Sequence, residues 1–202
     1  MRKDNYEQSR DRAQAYFLRF DQQRLIRRWD LKHDRERLYV DFLGKLYGIC
    51  RQSGVVTRLW DGRQAGYEEA LSIFDLLCHE GEHKYLSGSL APVNSLKGRP
   101  PTAGVDTDFY GKAAAAFDKA PELFCKACLA MGGQPVNMGD LGFRFPVFGA
   151  MPVILKFYRS DEEFPASLTL LWDENALQYM FYETVFYVAG VLLEELVAQM
   201  GN

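Results

Sequence analysis

Residues 79–83 have the sequence His-Glu-Gly-Glu-His, which matches the H-E-x-x-H pattern of zinc proteases. In that chemistry His79 and His83 would lie one helical turn apart as metal ligands, and Glu80 between them would act as the base. Two features count against it: Gly81 weakens a helix interior by about 1 kcal/mol, and no third ligand follows at a known spacing. We therefore retain a metal-dependent hydrolase as the alternative function. Otherwise the segment is a helix end with two solvent-facing histidines.

Cys125 and Cys128 form a C-x-x-C pair. A redox dithiol of the thioredoxin type has its first cysteine at a helix N-terminus after a strand, because the helix dipole there lowers the thiol pKa. Here the pair lies behind Pro121, past the first turn of a predicted helix. The pattern favours core or partly buried thiols, and ligation of a metal or an iron–sulfur cluster is the alternative role for both cysteines.

Three consecutive carboxylates at 161–163 are oxygen ligands of the kind that hard cations prefer. No calcium-loop spacing accompanies them, so we interpret the segment as a solvated turn between strands. The sequence also lacks a phosphate-binding loop, a dinucleotide fingerprint and a serine-hydrolase elbow, so it does not identify a cofactor. We expect any ligand site near this turn and near the irregular loop 87–105, because loops beside a rigid sheet often carry function.

The elements that must position these groups follow from the spacing of apolar residues. Alternating runs at 142–148, 153–158 and 166–172 predict three antiparallel strands, and a long amphipathic helix over 174–199, capped by Asp173, is predicted to cover them. Residues 37–59 predict a second antiparallel meander. Helices are predicted over 4–20, over 67–78, from Asp106 or Thr107 to about Lys119, and over 121–131, with a short strand over 24–31 and another at 92–96.

These elements indicate an α+β fold, with antiparallel sheets in both halves and helices packed on one side. We expect one domain over residues 1–202, or two lobes with a boundary in 87–105. Apolar residues make up 48% of the chain and the net charge is -3, so neither nucleic acid nor a membrane is an expected partner. A polar N-terminal segment and four cysteines at uneven spacing predict that the protein is located in the reducing cytoplasm.

The last third of the chain resembles a known family. Pro152-Val153 opens an apolar strand, residues 161–166 follow as Asp-Glu-Glu-Phe-Pro-Ala, and residues 170–173 lead into a helix that contains Glu183. This order resembles the domain-of-unknown-function family 3786 of anaerobic bacteria and archaea, over most of the chain from about Leu38 onward. That family carries no assigned activity. Its setting, rich in iron–sulfur and corrinoid enzymes, implies an accessory or cofactor-related role.

We therefore expect a non-catalytic cytoplasmic binding or accessory protein of anaerobic metabolism that is related to iron–sulfur or corrinoid enzymes. A protein partner and a small-molecule ligand are both compatible with the sequence. The identity of the ligand, the cofactor and the oligomeric state do not follow from these residues.

Overall fold

The computed structural model describes residues 5–81, 85–101 and 110–201. Their helices and strands follow in the order α1 (Asn5–Phe17), α2 (Gln22–Trp29), β1 (Arg37–Phe42), β2 (Lys45–Cys50), β3 (Val56–Arg58), α3 (Tyr67–Cys78), β4 (Leu90–Pro92), α4 (Gly111–Lys119), α5 (Pro121–Ala130), β5 (Gln134–Pro135), β6 (Leu141–Phe148), β7 (Met151–Tyr158), β8 (Ser167–Asp173) and α6 (Tyr182–Met200). Short 3-10 turns lie at Val93–Ser95 and Ala176–Gln178.

Two antiparallel sheets form the β part of the fold. The first has the order β1-β2-β3, and the second has the order β4-β8-β7-β6-β5. The α+β fold predicted from the sequence is confirmed, and each half of the chain contributes one meander. The amide of Leu43, in the turn between β1 and β2, donates to the carbonyl of Val147 in β6 and so joins the two sheets directly.

Aromatic packing attaches the helices to the larger sheet. Phe117 of α4 and Phe124 of α5 stack with ring centroids 4.2 Å apart. Both rings also contact Phe157 of β7, and Phe124 contacts Phe143 of β6. All four side chains are buried. The last helix, α6, packs mainly against α3 and α5 and buries Val188, Leu192 and Leu196 completely. These contacts hold α6 alongside α3.

The strand predicted over 24–31 is wrong, because residues 22–29 form helix α2. Asp21 caps this helix: its carboxylate accepts a hydrogen bond from the amide of Gln23 at 2.9 Å. Asp30 ends the helix in the left-handed conformation, with φ of 50°. The apolar pair Leu25 and Ile26 is buried beneath a face of arginines. The strand prediction failed because the capping residues Asp21 and Asp30 decide the conformation of this short segment.

The predicted start of the last helix is also wrong, since α6 begins at Tyr182 instead of Glu174. Asp173 does not cap it. Its buried carboxylate instead accepts from the amides of Ser87, Gly88 and Asn175, and so holds the loop before β4 against the end of β8.

A carboxylate from α3 supplies the cap that the sequence assigned to Asp173. Asp75 accepts from the amide of Phe181 at 2.7 Å and from the hydroxyl of Thr184 at 2.6 Å. The start of α6 is therefore fixed by a residue more than a hundred positions earlier in the chain.

Two smaller differences concern the middle of the chain. The strand predicted at 92–96 begins earlier, as β4 over 90–92. The proposed caps Asp106 and Thr107 lie outside the described residues. None of the helices within the described ranges is long and apolar enough to cross a membrane.

Candidate functional site

A cleft of about 590 Å³ lies between the N-terminal turn of α3 and the C-terminal half of α6, and we call it the α3–α6 cleft. Its lining residues come from β3, α3 and α6, and four of the nine are glutamates. They are Arg58, Gly66, Tyr67, Glu68, Glu69, Val191, Glu194, Glu195 and Ala198. The cleft is therefore rich in carboxylates.

The carboxylate of Glu69 forms the floor of the cleft and is almost completely buried. Arg58 donates to it from Nε at 3.0 Å and from Nη2 at 2.7 Å. The hydroxyl of Tyr47 donates to Oε1 at 2.5 Å, and the amide of Gly66 donates to Oε2 at 2.6 Å. Both oxygens of Glu69 are therefore occupied by donors from two strands and a helix start.

The register of the smaller sheet brings these groups together. Tyr47 in β2 and Arg58 in β3 are directly opposite partners, so their side chains lie next to each other on one face. Glu69 is the third residue of α3 and reaches back to the Gly66 amide, as the glutamate of a capping box does. Burial and the charge of Glu69 raise the pKa of Tyr47 well above its usual value, so the phenol stays protonated.

Glu68 lies at the rim of the same cleft, and its environment differs from that of Glu69. Partial burial, and secondly the negative charge of Glu194 on α6, raise the pKa of Glu68. Within the described residues neither Glu68 nor Glu194 has an ion pair with a basic side chain. The neighbouring Glu195 does have one, with Lys45 Nζ at 2.6 Å. The rim thus carries two carboxylates, one on α3 and one on α6, that form no ion pair with a basic side chain in the described part of the chain.

An apolar groove of about 500 Å³ runs along the other side of α6, between this helix and α4. It is lined by Lys112, Ala113, Ala116, Gly190, Leu193, Glu194, Val197 and Ala198. Small residues on both helices leave the space open. Glu194 and Ala198 line the groove and the α3–α6 cleft alike, so the two form one continuous surface across the outer face of α6.

The described part of the H-E-x-x-H match, residues 79–81, lies beyond the end of helix α3. α3 ends at Cys78, and His79 is its C-cap with an extended backbone. The His79 side chain is only 12% exposed, and its Nδ1 lies 3.3 Å from Asp75 Oδ1. The prediction that this histidine faces the solvent is therefore wrong. Glu80 is exposed and lies 3.3 Å from Arg24. His83 lies outside the described residues.

Gly81 has a packing role that accounts for its position in this motif. A Cβ atom added to Gly81 would lie 2.2 Å from the carbonyl oxygen of Gln178, so no other residue fits without moving the backbone. The segment after α3 therefore passes closely against the turn that precedes α6. This close approach explains the glycine without a metal-binding function.

The C-x-x-C pair lies within α5, where Cys128 is buried and Cys125 is partly buried, as the sequence indicated. Burial raises the pKa of both thiols, which is the opposite of what a redox dithiol needs. In the described parts of the chain, no three or more His, Cys, Asp or Glu side chains form a group that could hold a metal ion. The candidates His79, Cys125 and Cys128 are thus not brought together in such a group.

The acidic turn and the described part of the 87–105 loop do not form one site. Asp161 accepts from the amides of Glu163 and Phe164, which makes the segment an exposed, self-capped turn, as predicted. This turn precedes β8, whereas the loop is attached at the other end of β8 through Asp173 and Glu174. The length of β8 separates the two by about 20 Å.

Sequence reasoning missed the buried network of Tyr47, Arg58 and Glu69. One local signal was available: Gly66 and Glu69 have the spacing of a capping box. That signal predicts the Glu69–amide contact but not the arginine or the tyrosine, which only the strand register supplies.

Comparisons with known proteins agree with the resemblance noted in the sequence. Searches of curated proteins and of solved structures found no match. A family model described as "Domain of unknown function (DUF3786)" matches residues 21–195, which include every strand and most of every helix from α2 to α6. The chain therefore belongs to the DUF3786 family.

Proposed function

We propose that this protein is a non-catalytic cytoplasmic binding or accessory protein of anaerobic metabolism, and that its α3–α6 cleft receives a positively charged group. The resemblance of the sequence to a family of anaerobes supports the metabolic setting. The cleft supports the binding role. A cytoplasmic location agrees with four cysteines that form no disulfide.

The observation that carries the proposal is the pair of carboxylates, Glu68 and Glu194, at the rim of the cleft. Partial burial of Glu68, and secondly repulsion by the negative charge of Glu194, raise the pKa of Glu68. A bound ammonium or guanidinium group would lie between two negative charges and relieve this repulsion. Groups with perturbed pKa values in a cleft mark functional sites more often than the remaining surface does.

The floor of the cleft supports binding without catalysis. Glu69 has both oxygens occupied by donors and an arginine as its partner, so it is not available as a general base. The raised pKa of Tyr47 keeps its hydroxyl protonated and hydrogen-bonded. These groups form a rigid support, and the carboxylates at the rim remain the exposed binding groups.

The alternative, a metal-dependent hydrolase that uses His79, Glu80 and His83, has less structural support because α3 ends before the motif begins. Elemental analysis of the purified protein distinguishes the two. We expect no stoichiometric zinc. Stoichiometric zinc that disappears in the His79→Ala variant would favour the hydrolase.

A minimal ligand tests the binding role. N-acetyl-lysine amide carries the expected ammonium group, and N-acetyl-norleucine amide is a matched probe of similar shape without the charge. We expect only the lysine probe to shift backbone NMR resonances of α3 and α6, with millimolar affinity, and we expect Glu68→Gln to abolish the shifts. Glu162→Gln, the same change in the exposed acidic turn, is the control. Equal shifts from both probes, or shifts that persist in Glu68→Gln, would refute the proposal.

A further inference from the structure

We infer that the group received by the cleft belongs to a basic amphipathic helix of a partner protein, and that this helix lies across α6 with its apolar face in the α4–α6 groove. This inference rests on the proposed function, because the same rim carboxylates bind the partner's basic side chain. It names the partner class and adds a second contact surface.

The cleft and the groove form a continuous surface. The cleft and the groove meet at Glu194 and Ala198, which line both. The groove extends along α6 from Gly190 to Ala198, a distance of about 12 Å, or about two helical turns. A ligand that fills both surfaces is elongated, and its two sides differ in polarity.

The groove and the cleft differ in chemistry. The groove is floored by small apolar residues and bordered by Val197, whose side chain is 42% exposed. The cleft side carries Glu68 and Glu194, neither of which has an ion pair with a basic side chain among the described residues. An amphipathic helix with leucine-like anchors at i, i+3 and i+7 and a lysine or arginine beside them matches this arrangement. Lys112 borders the groove but not the cleft, so positive charge on the partner is favoured only on the cleft side.

A second copy of the chain is a poorer match for the groove than a different protein. Among the helices of the described residues, the most basic is α2, with Arg24, Arg27 and Arg28. Its apolar residues Leu25 and Ile26 are already buried in the core of the same molecule. Helix α2 therefore cannot present an apolar face to the groove of another copy, and the charge pattern favours a different protein.

Synthetic peptides of about 14 residues test the inference with the full-length protein. The first contains only leucine and lysine with the leucines in one helical stripe. The second has the same composition in an order without a stripe, and the third replaces lysine by glutamate. Fluorescence anisotropy measures binding at about 20 and about 200 mM salt. We expect micromolar binding of the first peptide only, and weaker binding at the higher salt.

Variants assign the binding to the two surfaces. Val197→Ser should weaken the first peptide about fivefold by removing part of the apolar border, whereas Leu129→Ser, which alters a 55% exposed leucine on α5, should have no effect. The double variant Glu68→Gln/Glu194→Gln should weaken it about tenfold and reduce its salt dependence. Equal binding of the striped and unstriped peptides would overturn the inference.

Three further outcomes show whether the helix inference, the proposed function or both are wrong. If N-acetyl-lysine amide binds through Glu68 but the striped peptide binds no more tightly, the helix inference is wrong and the cleft still binds cations. If neither ligand binds, both are wrong. If the protein alone dimerises in sedimentation equilibrium and Val197→Ser abolishes the dimer, the groove is occupied by a second copy and the inference is overturned.

Discussion

Replacing Glu69 with glutamine tests the central structural feature of the cleft with almost no change of shape. Every neighbour of the carboxylate is a hydrogen-bond donor: Arg58, the Tyr47 hydroxyl and the Gly66 amide. The amide group of glutamine has only one oxygen, and its NH₂ would face donors in either orientation. The substitution therefore removes the charge and also creates an opposed pair of donors inside the protein.

The expected loss follows from the burial of the two charged partners. Removing one partner of a buried ion pair costs about 3–5 kcal/mol. The Arg58 side chain is 27% exposed, so water can partly solvate the freed guanidinium, and we expect a loss of about 2–3 kcal/mol. For a chain of this size that corresponds to a decrease in Tm of about 5–10 °C. Urea unfolding, followed by circular dichroism, measures this loss of unfolding free energy.

Glu68→Gln is the matched control, since it makes the same chemical change one residue earlier in the same helical turn. The raised pKa of Glu68 means that its charged form is disfavoured in the folded state, so at neutral pH its neutralisation should leave stability unchanged or increase it. The two variants should thus differ, with a loss of stability only in Glu69→Gln. Equal, small effects of both substitutions would refute the interpretation of Glu69 as the buried support of the cleft.

Three further predictions concern other sites. Because the folded state raises the pKa of Tyr47, the stability that its protonated phenol contributes is complete below about pH 10 and is lost at higher pH. Tyr47→Phe should therefore lower the unfolding free energy at neutral pH and reduce the loss of unfolding free energy at alkaline pH, both measured by urea titration. Asp75→Asn should cost about 1–2 kcal/mol and speed amide exchange in the first turn of α6, which native-state hydrogen exchange would detect. Hydrogen bonds from Ser53 lower the pKa of Cys50, so iodoacetamide at neutral pH should modify Cys50 before Cys128, as mass spectrometry of digests would show.

The elements with dense local signals were predictable from the sequence. Helix α3 begins and ends at the predicted residues, 67 and 78, because its apolar spacing, two acidic residues in the first turn and a preceding glycine all indicate the same boundaries. The three long strands were found within two residues at each end, because turn residues separate them. In both cases the information lies within about ten residues of the element.

The failure at α6 occurs because distant residues determine the local conformation. The start of α6 depends on Asp75, which a reading of residues 173–182 cannot include. Asp173 is a strong capping residue by type, but its carboxylate is used by the loop at Ser87 and Gly88. The failure at α2 is different, since Asp21 is adjacent to the helix and the capping signal was available in the sequence.

The cleft combines both situations, and this explains why Glu68 and Glu69 have different roles although they are neighbours with the same side chain. One step along a helix turns the side chain by about 100°, so one glutamate points under α3 to the sheet and the other points to α6. The sheet surrounds Glu69 with donors, whereas α6 brings the negative Glu194 to Glu68. Packing alone accounts for Glu69, because its removal would leave a tyrosine and an arginine unsatisfied. It does not account for Glu68, whose charge opposes folding, and a ligand that supplies positive charge at the rim would compensate that cost.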